Sequence, residues 1–247
     1  MSSSKLTATT VLLLTLTLLL QTSFGANNFL SCVCSNPQNF TSNTPFDSSL
    51  KTLITVLTSK TSLTGFGQAS FGQYHDQQAY GLSLCRGDVS SSDCKTCVSE
   101  ATTELLKRCS YKKGAIIWYD NCLFKYSDKD FLGRIDHANK FYMLNVNNVT
   151  NPDAFNYKTK ELLSRLAEEA HGNPKMYAAG ELKLEEGKNM TVYGLTQCTR
   201  DLSSDDCKKC LYDSIGELPN CCNGKQGGRV LGGSCNVQYE IYPFFKE

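Results

Sequence analysis

Five cysteines occur twice in this chain in one register. Cys85, Cys94, Cys97, Cys109 and Cys122 recur as Cys198, Cys207, Cys210, Cys222 and Cys235, each displaced by 113 residues. A shared C-x8-C-x2-C-x11-C-x12-C spacing requires two homologous folding units. Other residues keep the displacement: Tyr80-Gly81-Leu82 returns as Tyr193-Gly194-Leu195, Asp93 as Asp206, Gly114 as Gly227 and Tyr126 as Tyr239. Upstream, Phe46, Leu53, Ile54 and Leu57 correspond to Phe155, Leu162, Leu163 and Leu166 at a displacement of 109. The slip falls in the loop between. The expected domains are 27–140 and 141–247, each close to the common domain size of about 100 residues.

Thirteen cysteines call for an oxidising compartment, and the N-terminus agrees. Lys5 precedes an apolar run from Val11 to Leu20, and the small residues Ser23, Gly25 and Ala26 follow. This pattern predicts a signal peptide over 1–25, with all the cysteines in the mature chain. The run is short of the roughly 20 residues a membrane helix needs. No second long apolar run follows, so the mature chain is expected to be secreted and not inserted in a membrane. With 25 basic and 24 acidic residues there is no basic surface for nucleic acid.

Within a repeat, Phe46, Leu50, Leu53, Ile54 and Leu57 have helical spacing, with Pro45 in the first turn. Phe155 to Ala170 reads the same way. A second helix is expected from about Cys94 to Leu106 and from about Cys207 to Glu217, with Ser92-Asp93 and Asp205-Asp206 as N-cap candidates. Strand-like stretches follow at Ala115 to Tyr119, Cys122 to Tyr126, Arg229 to Leu231 and Asn236 to Tyr242, and 65–84 also has strand character. The result is an α+β class, with an antiparallel sheet covered by helices on one face.

Three chemistries compete for the C-x2-C pairs. Zinc would require two domains to share ligands across 113 residues. A redox dithiol usually sits at a βα junction. Structural bridges fit secretion best, and each would stabilise by about 2–4 kcal/mol.

"YGLSLCRGDVSSSDCKTC", "YGLTQCTRDLSSDDCKKC", "WYDNCLFKYSD" and "CCNGKQGGRVLGGSCNVQYEIYPFF" together resemble plant cysteine-rich repeat secretory proteins with tandem ginkbilobin-like, or salt-stress-response/antifungal, domains. The resemblance spans nearly the whole mature chain. It implies two disulfide-stapled domains, each a five-stranded antiparallel sheet packed by two helices. It also implies the bridges Cys34–Cys109, Cys85–Cys94, Cys97–Cys122, Cys198–Cys207 and Cys210–Cys235. The chain departs from the pattern at Cys32, beside Cys34. The second domain has no cysteine at the first position, near Met143, and carries Cys221 adjacent to Cys222. This matching surplus and deficit suggests that Cys32 crosses to Cys221 or Cys222 and staples the domains together. A bond between adjacent cysteines is the disfavoured alternative, because it is sterically strained.

No nucleophile–base pattern, zinc-protease motif or phosphate loop is present. His75, His137 and His171 have no counterparts between repeats and lie in polar segments expected to be exposed. Asp205-Asp206 and Glu185-Glu186 read as a helix cap and a solvated loop. No enzyme, cofactor or metal site is expected. In a mannose-binding member of the family, an Asn, an Arg and a Glu hold the sugar. The equivalent positions in the second domain are Asn145, Arg229 and Glu240. In the first domain they are Asn36, Ile116 and Ser127, which cannot serve in this way. The bland alternative is a cross-strand Arg229–Glu240 ion pair on an exposed face. Asn39, Asn148 and Asn189 begin glycosylation sequons. Trp118, Tyr119, Tyr126 and Phe131 read as core or inter-domain packing. The expected function is non-enzymatic recognition in plant stress or defence in the apoplast. The partner would be a mannose-type glycan or, alternatively, an apoplastic or receptor-ectodomain protein. A thiol redox-active protein is a further alternative.

Overall fold

A computed structural model describes residues 28–34, 38–184 and 190–246. The expected signal peptide, Asn36, Glu185-Glu186 and Asn189 lie outside them. Two units of the same architecture follow one another. The first contains β1 (Phe29–Val33), α1 (Pro45–Thr64), β2 (Phe66–Phe71), β3 (Ala79–Cys85), α2 (Ser91–Arg108), β4 (Gly114–Tyr119) and β5 (Cys122–Ser127). The second contains β6 (Lys140–Leu144), α3 (Pro152–His171), β7 (Tyr177–Lys183), β8 (Thr191–Cys198), α4 (Ser204–Cys222), β9 (Gly228–Gly232) and β10 (Cys235–Glu240). The sheets are antiparallel, in the orders β1-β4-β5-β3-β2 and β6-β9-β10-β8-β7.

Helix starts follow from local chemistry. Thr44 caps α1 through Asp47 N, with Pro45 in the first turn, where its missing N–H costs nothing. Asn151 caps α3 before Pro152 in the same way. For α2 and α4 the caps fall earlier than expected. Ser90 and Ser203 accept the backbone N–H of Asp93 and Asp206, each at 3.1 Å. The two aspartates therefore sit in the first turn, where their charge suits the helix N-terminus. Helix α4 also continues past Glu217 through Pro219 to Cys222.

Alternation along the strands divides each sheet into two apolar faces. In the first unit Ala115, Ile117, Phe124 and Tyr126 face the helices and join Phe46, Leu50, Leu53, Leu57, Val98 and Leu105. In the second unit Val230, Val237 and Tyr239 join Leu162, Leu163, Leu166, Leu211 and Ile215. The opposite faces meet each other. Leu82, Ile116, Trp118 and Leu123 pack with Leu231, and Phe131 and Phe141 pack against this group. The Trp118 indole donates to Gly232 O at 2.9 Å and meets Phe141 edge-on. Gln197 Nε2 donates to Cys85 O at 3.0 Å. Gly87 allows this approach, because a Cβ there would overlap the Tyr177 ring. The chain connecting the sheets is pinned by Asp136, which pairs with Lys125 of β5 at 2.6 Å and accepts from Asn139. The Asp136 N–H donates to Ser234 Oγ of the second unit. Tyr119 and Tyr126 face the helix-side core, whereas Trp118 and Phe131 join the inter-domain packing.

The bridges Cys34–Cys109, Cys85–Cys94, Cys97–Cys122, Cys198–Cys207 and Cys210–Cys235 are formed. The expected inter-domain staple is not. Cys221 is bonded to Cys222, and Cys32 is unpaired. Topology explains this. Cys32 packs on the helix side of the first sheet and Cys222 on the helix side of the second, so both sheets stand between them. Cys222 occupies the place that Cys109 has in the first unit. Facing it, the register of β6 puts Leu144 where the first unit has Cys34, and the backbone oxygen of the adjacent Met143 is 3.8 Å from Cys222 Sγ. With no cysteine across from it, Cys222 takes its chain neighbour.

Candidate functional site

A cleft of about 630 Å³ opens between the two units and gathers the polar ends of both sheets. Its second-domain wall carries Met143, Asn145, Arg229, Gln238 and Glu240. Its first-domain wall carries Asn28, Arg86, Asp93, Asp120 and Asn121, and the segment from Tyr242 to Lys246 borders both. Asn145, Arg229 and Glu240 thus line one space. Asn145 follows β6 and is fixed by its N–H to Gly227 O at 2.9 Å. Its amide donates to Glu240 Oε2 at 3.5 Å. In register, Arg229 of β9 faces Met143 of β6 on one side and Gln238 of β10 on the other.

The direct Arg229–Glu240 ion pair is absent. Arg229 donates instead to Asp120 Oδ1 at 2.9 Å, across the domain boundary, and to Asn236 Oδ1 at 3.2 Å. Its side chain is only 8% exposed. Burial draws its pKa down to about 10, and Asp120 opposes that shift, so the guanidinium stays charged at neutral pH. Burial also pushes the Glu240 carboxyl up, against the lowering effects of Asn145, Tyr242 and Arg229. Gln238 Oε1 is buried on this wall with no donor among the described residues. Nearby, Arg86 grips Asp88 through both Nε and Nη2, and Asp88 accepts the Lys246 N–H.

Asp120, Asn236, Gln238 and Tyr242 were not among the expected site residues. Nothing local distinguishes Asp120, which lies in the β4–β5 turn and meets Arg229 only through packing of the two units. The first-domain counterparts behave differently: Ile116 is buried between the sheets and Ser127 ends β5. Of the histidines, His75 and His137 are exposed, but His171 is half-buried between Ser204 Oγ (2.9 Å) and Glu168 (3.0 Å). Asn39 and Asn148 are exposed, as glycosylation acceptors must be.

The polar groups of the cleft are hydrogen-bond donors and acceptors drawn from both units. A family model described as salt stress response/antifungal matches residues 31–129 and 143–242, one copy per unit. The chain belongs to this family. It is 54% identical to the antimicrobial ginkbilobin-2-like protein of Castanea crenata over 244 residues, covering 99% of each chain. It is 52% identical to cysteine-rich repeat secretory protein 38 of Arabidopsis thaliana over 223 residues, covering 89% and 87%. Its architecture matches the crystal structure of the tandem DUF26 ectodomain of the Arabidopsis thaliana cysteine-rich receptor-like protein PDLP8. The TM-score is 0.75 at 27% identity, over 88% of this chain and all of that one. As a member of the family it is a secreted, cysteine-rich plant protein of the stress and antifungal class, and among its described residues no helix is long and apolar enough to cross a membrane.

Proposed function

We propose that the protein is a non-enzymatic recognition protein of plant defence that binds mannose-type glycans through Asn145, Arg229 and Glu240. The observation that carries this reading is that these residues line one inter-domain cleft, although they come from three separate strand regions. Hexose hydroxyls both donate and accept. Asn145 and Arg229 supply donors, and Glu240 and the unpartnered Gln238 Oε1 supply acceptors. Tyr242 and Phe244 add apolar faces for the sugar ring. Calorimetry with mannose and oligomannose tests the reading. Binding is expected for the wild type and strong loss for Glu240→Ala and Asn145→Ala. Absence of binding, or binding that survives Arg229→Ala with Glu240→Ala, overturns it.

A second reading is a protein-interaction module that pairs with receptor-like ectodomains. It is favoured by the engagement of Arg229 with Asp120, which occupies part of the guanidinium. It is also favoured by edge strand β6, which exposes Tyr142, Met143 and Leu144. On this reading Glu240→Ala has no effect on partner capture, whereas a charge at Leu144 abolishes it.

A further inference from the structure

Three sulfurs converge at the C-terminal end of α2. Cys109 caps that helix and is bonded to Cys34. The unpaired Cys32 Sγ lies 3.6 Å from Cys109 Sγ. Cys32 and Cys34 are two residues apart on an extended segment, so both side chains project to the same side of the sheet, toward α2. Cys109 is thus within reach of either. The two candidates differ in surroundings: Cys32 is half-buried against the helix-side core, whereas Cys34 is exposed beyond the end of β1.

We propose that Cys32, Cys34 and Cys109 form a thiol–disulfide exchange centre that delivers a reactive, solvent-facing thiol at Cys34, where it can form mixed disulfides with external disulfides. In the first step the Cys32 thiolate attacks Cys109 Sγ. The Cys32–Cys109 bond forms, the Cys34–Cys109 bond breaks, and the electron pair leaves on Cys34 sulfur. Cys32 gives up a proton and Cys34 takes one, so no oxidant or reductant is consumed. In the second step the Cys34 thiolate attacks one sulfur of a small or protein disulfide. One half of that disulfide stays on Cys34 and the other leaves as a thiol.

The surroundings set the pace of the first step. Burial raises the Cys32 thiol, Arg108 lowers it and Glu104 raises it, both from α2. Tyr119 of β4 and Tyr126 of β5 also face it. A raised thiol keeps the resting state protonated, so exchange accelerates as pH rises. The second unit lacks the arrangement: Met143 and Leu144 stand where a partner for Cys222 would be, and Cys222 is closed on Cys221.

The test uses the mature protein with its native bridges. It is held with iodoacetamide, or with glutathione disulfide, and the modified residue is located by fragmentation across Val33. The expected result is modification at both Cys32 and Cys34 in the wild type, faster at pH 9 than at pH 6, and none at Cys34 in Cys32→Ser. Modification of Cys32 alone, or of neither residue, overturns the proposal. Cys34→Ser supplies an independent measurement that does not need Cys32 to be removed. Here Cys32 is expected to bond Cys109, leaving no titratable thiol in the native protein. Two free thiols, at Cys32 and Cys109, overturn the proposal.

Discussion

Removing the ammonium at Lys125 should weaken the anchoring of the chain that connects the two units. Lys125 and Asp136 are 9% and 6% exposed, and the pair is 2.6 Å apart. The Asp136 carboxylate also anchors the connecting chain through Asn139, and its backbone N–H donates to Ser234 Oγ of the second unit. Lys125→Met keeps the stem against Phe131 but strands a buried carboxylate. Breaking a buried pair from one side costs about 3–5 kcal/mol. For a chain of this size that corresponds to a fall in Tm of roughly 6–20 °C, at about 2–4 °C per kcal/mol. Urea denaturation followed by Trp118 fluorescence measures it, because that indole sits between the units. Lys125→Met with Asp136→Asn removes both charges while an amide oxygen still accepts from Asn139. The double variant should return to within about 1–2 kcal/mol of the wild type. A single variant within about 1 kcal/mol of the wild type, or a double variant worse than the single, would refute the reasoning. The pair also sets a pH response. Burial raises the Asp136 carboxyl, but the charge and hydrogen bond of Lys125 and the contacts from Asn139 outweigh it and leave it lowered. Its folded value therefore lies below its unfolded one. The stability it contributes is present above the ordinary carboxyl range and is lost as pH falls through the folded value.

Other consequences are open to measurement. Gly87→Ala drives a methyl group into the Tyr177 ring and should cost about 1–3 kcal/mol, read by the same denaturation; an unchanged midpoint would mean the units slide apart freely. Trp118→Phe loses the bond to Gly232 O together with contact area, and should cost about 1–3 kcal/mol with a loss of inter-unit protection in hydrogen exchange. The Glu168 carboxyl is pulled down to about 2, chiefly by Lys208 and further by Tyr212 and His171. Its carbon resonance should therefore still be that of a carboxylate at pH 3, and its titration should move up toward the ordinary carboxyl range in Lys208→Ala with Tyr212→Phe, with only the His171 contact left to lower it.

The duplication was legible because cysteine register survives divergence. Strands β5 and β10 begin at Cys122 and Cys235, displaced by the same 113 residues as the cysteine pattern itself. Helices α1 and α3 were legible from the spacing of Leu53, Leu57, Leu162 and Leu166. The true caps, Ser90 and Ser203, were obscured because Ser91, Ser92 and Ser204 offer the same hydroxyl one or two residues later. The end of α4 was obscured by Pro219. In the candidate site, the positions of Arg229 and Glu240 could be counted from the cysteines. The diversion of Arg229 to Asp120 could not, because it arises from the meeting of two faces that no local pattern reports. The fate of Cys222 is similar: its bond to Cys221 depends on what β6 lacks.

The apolar contact around Ile116, Trp118 and Leu231 makes the two copies unequal partners. At the position where the second copy holds Arg229, the first holds Ile116, spent on adhesion. A tandem of this kind is in effect a covalent heterodimer, and its halves are not interchangeable. Detached, the second half would present Leu231 and Phe141 to water and leave Arg229 without its counter-ion. Drift in one copy is therefore answerable to the other. A substitution at Asp120 is felt at Arg229, so the descendants of this duplication are constrained to diverge as a pair.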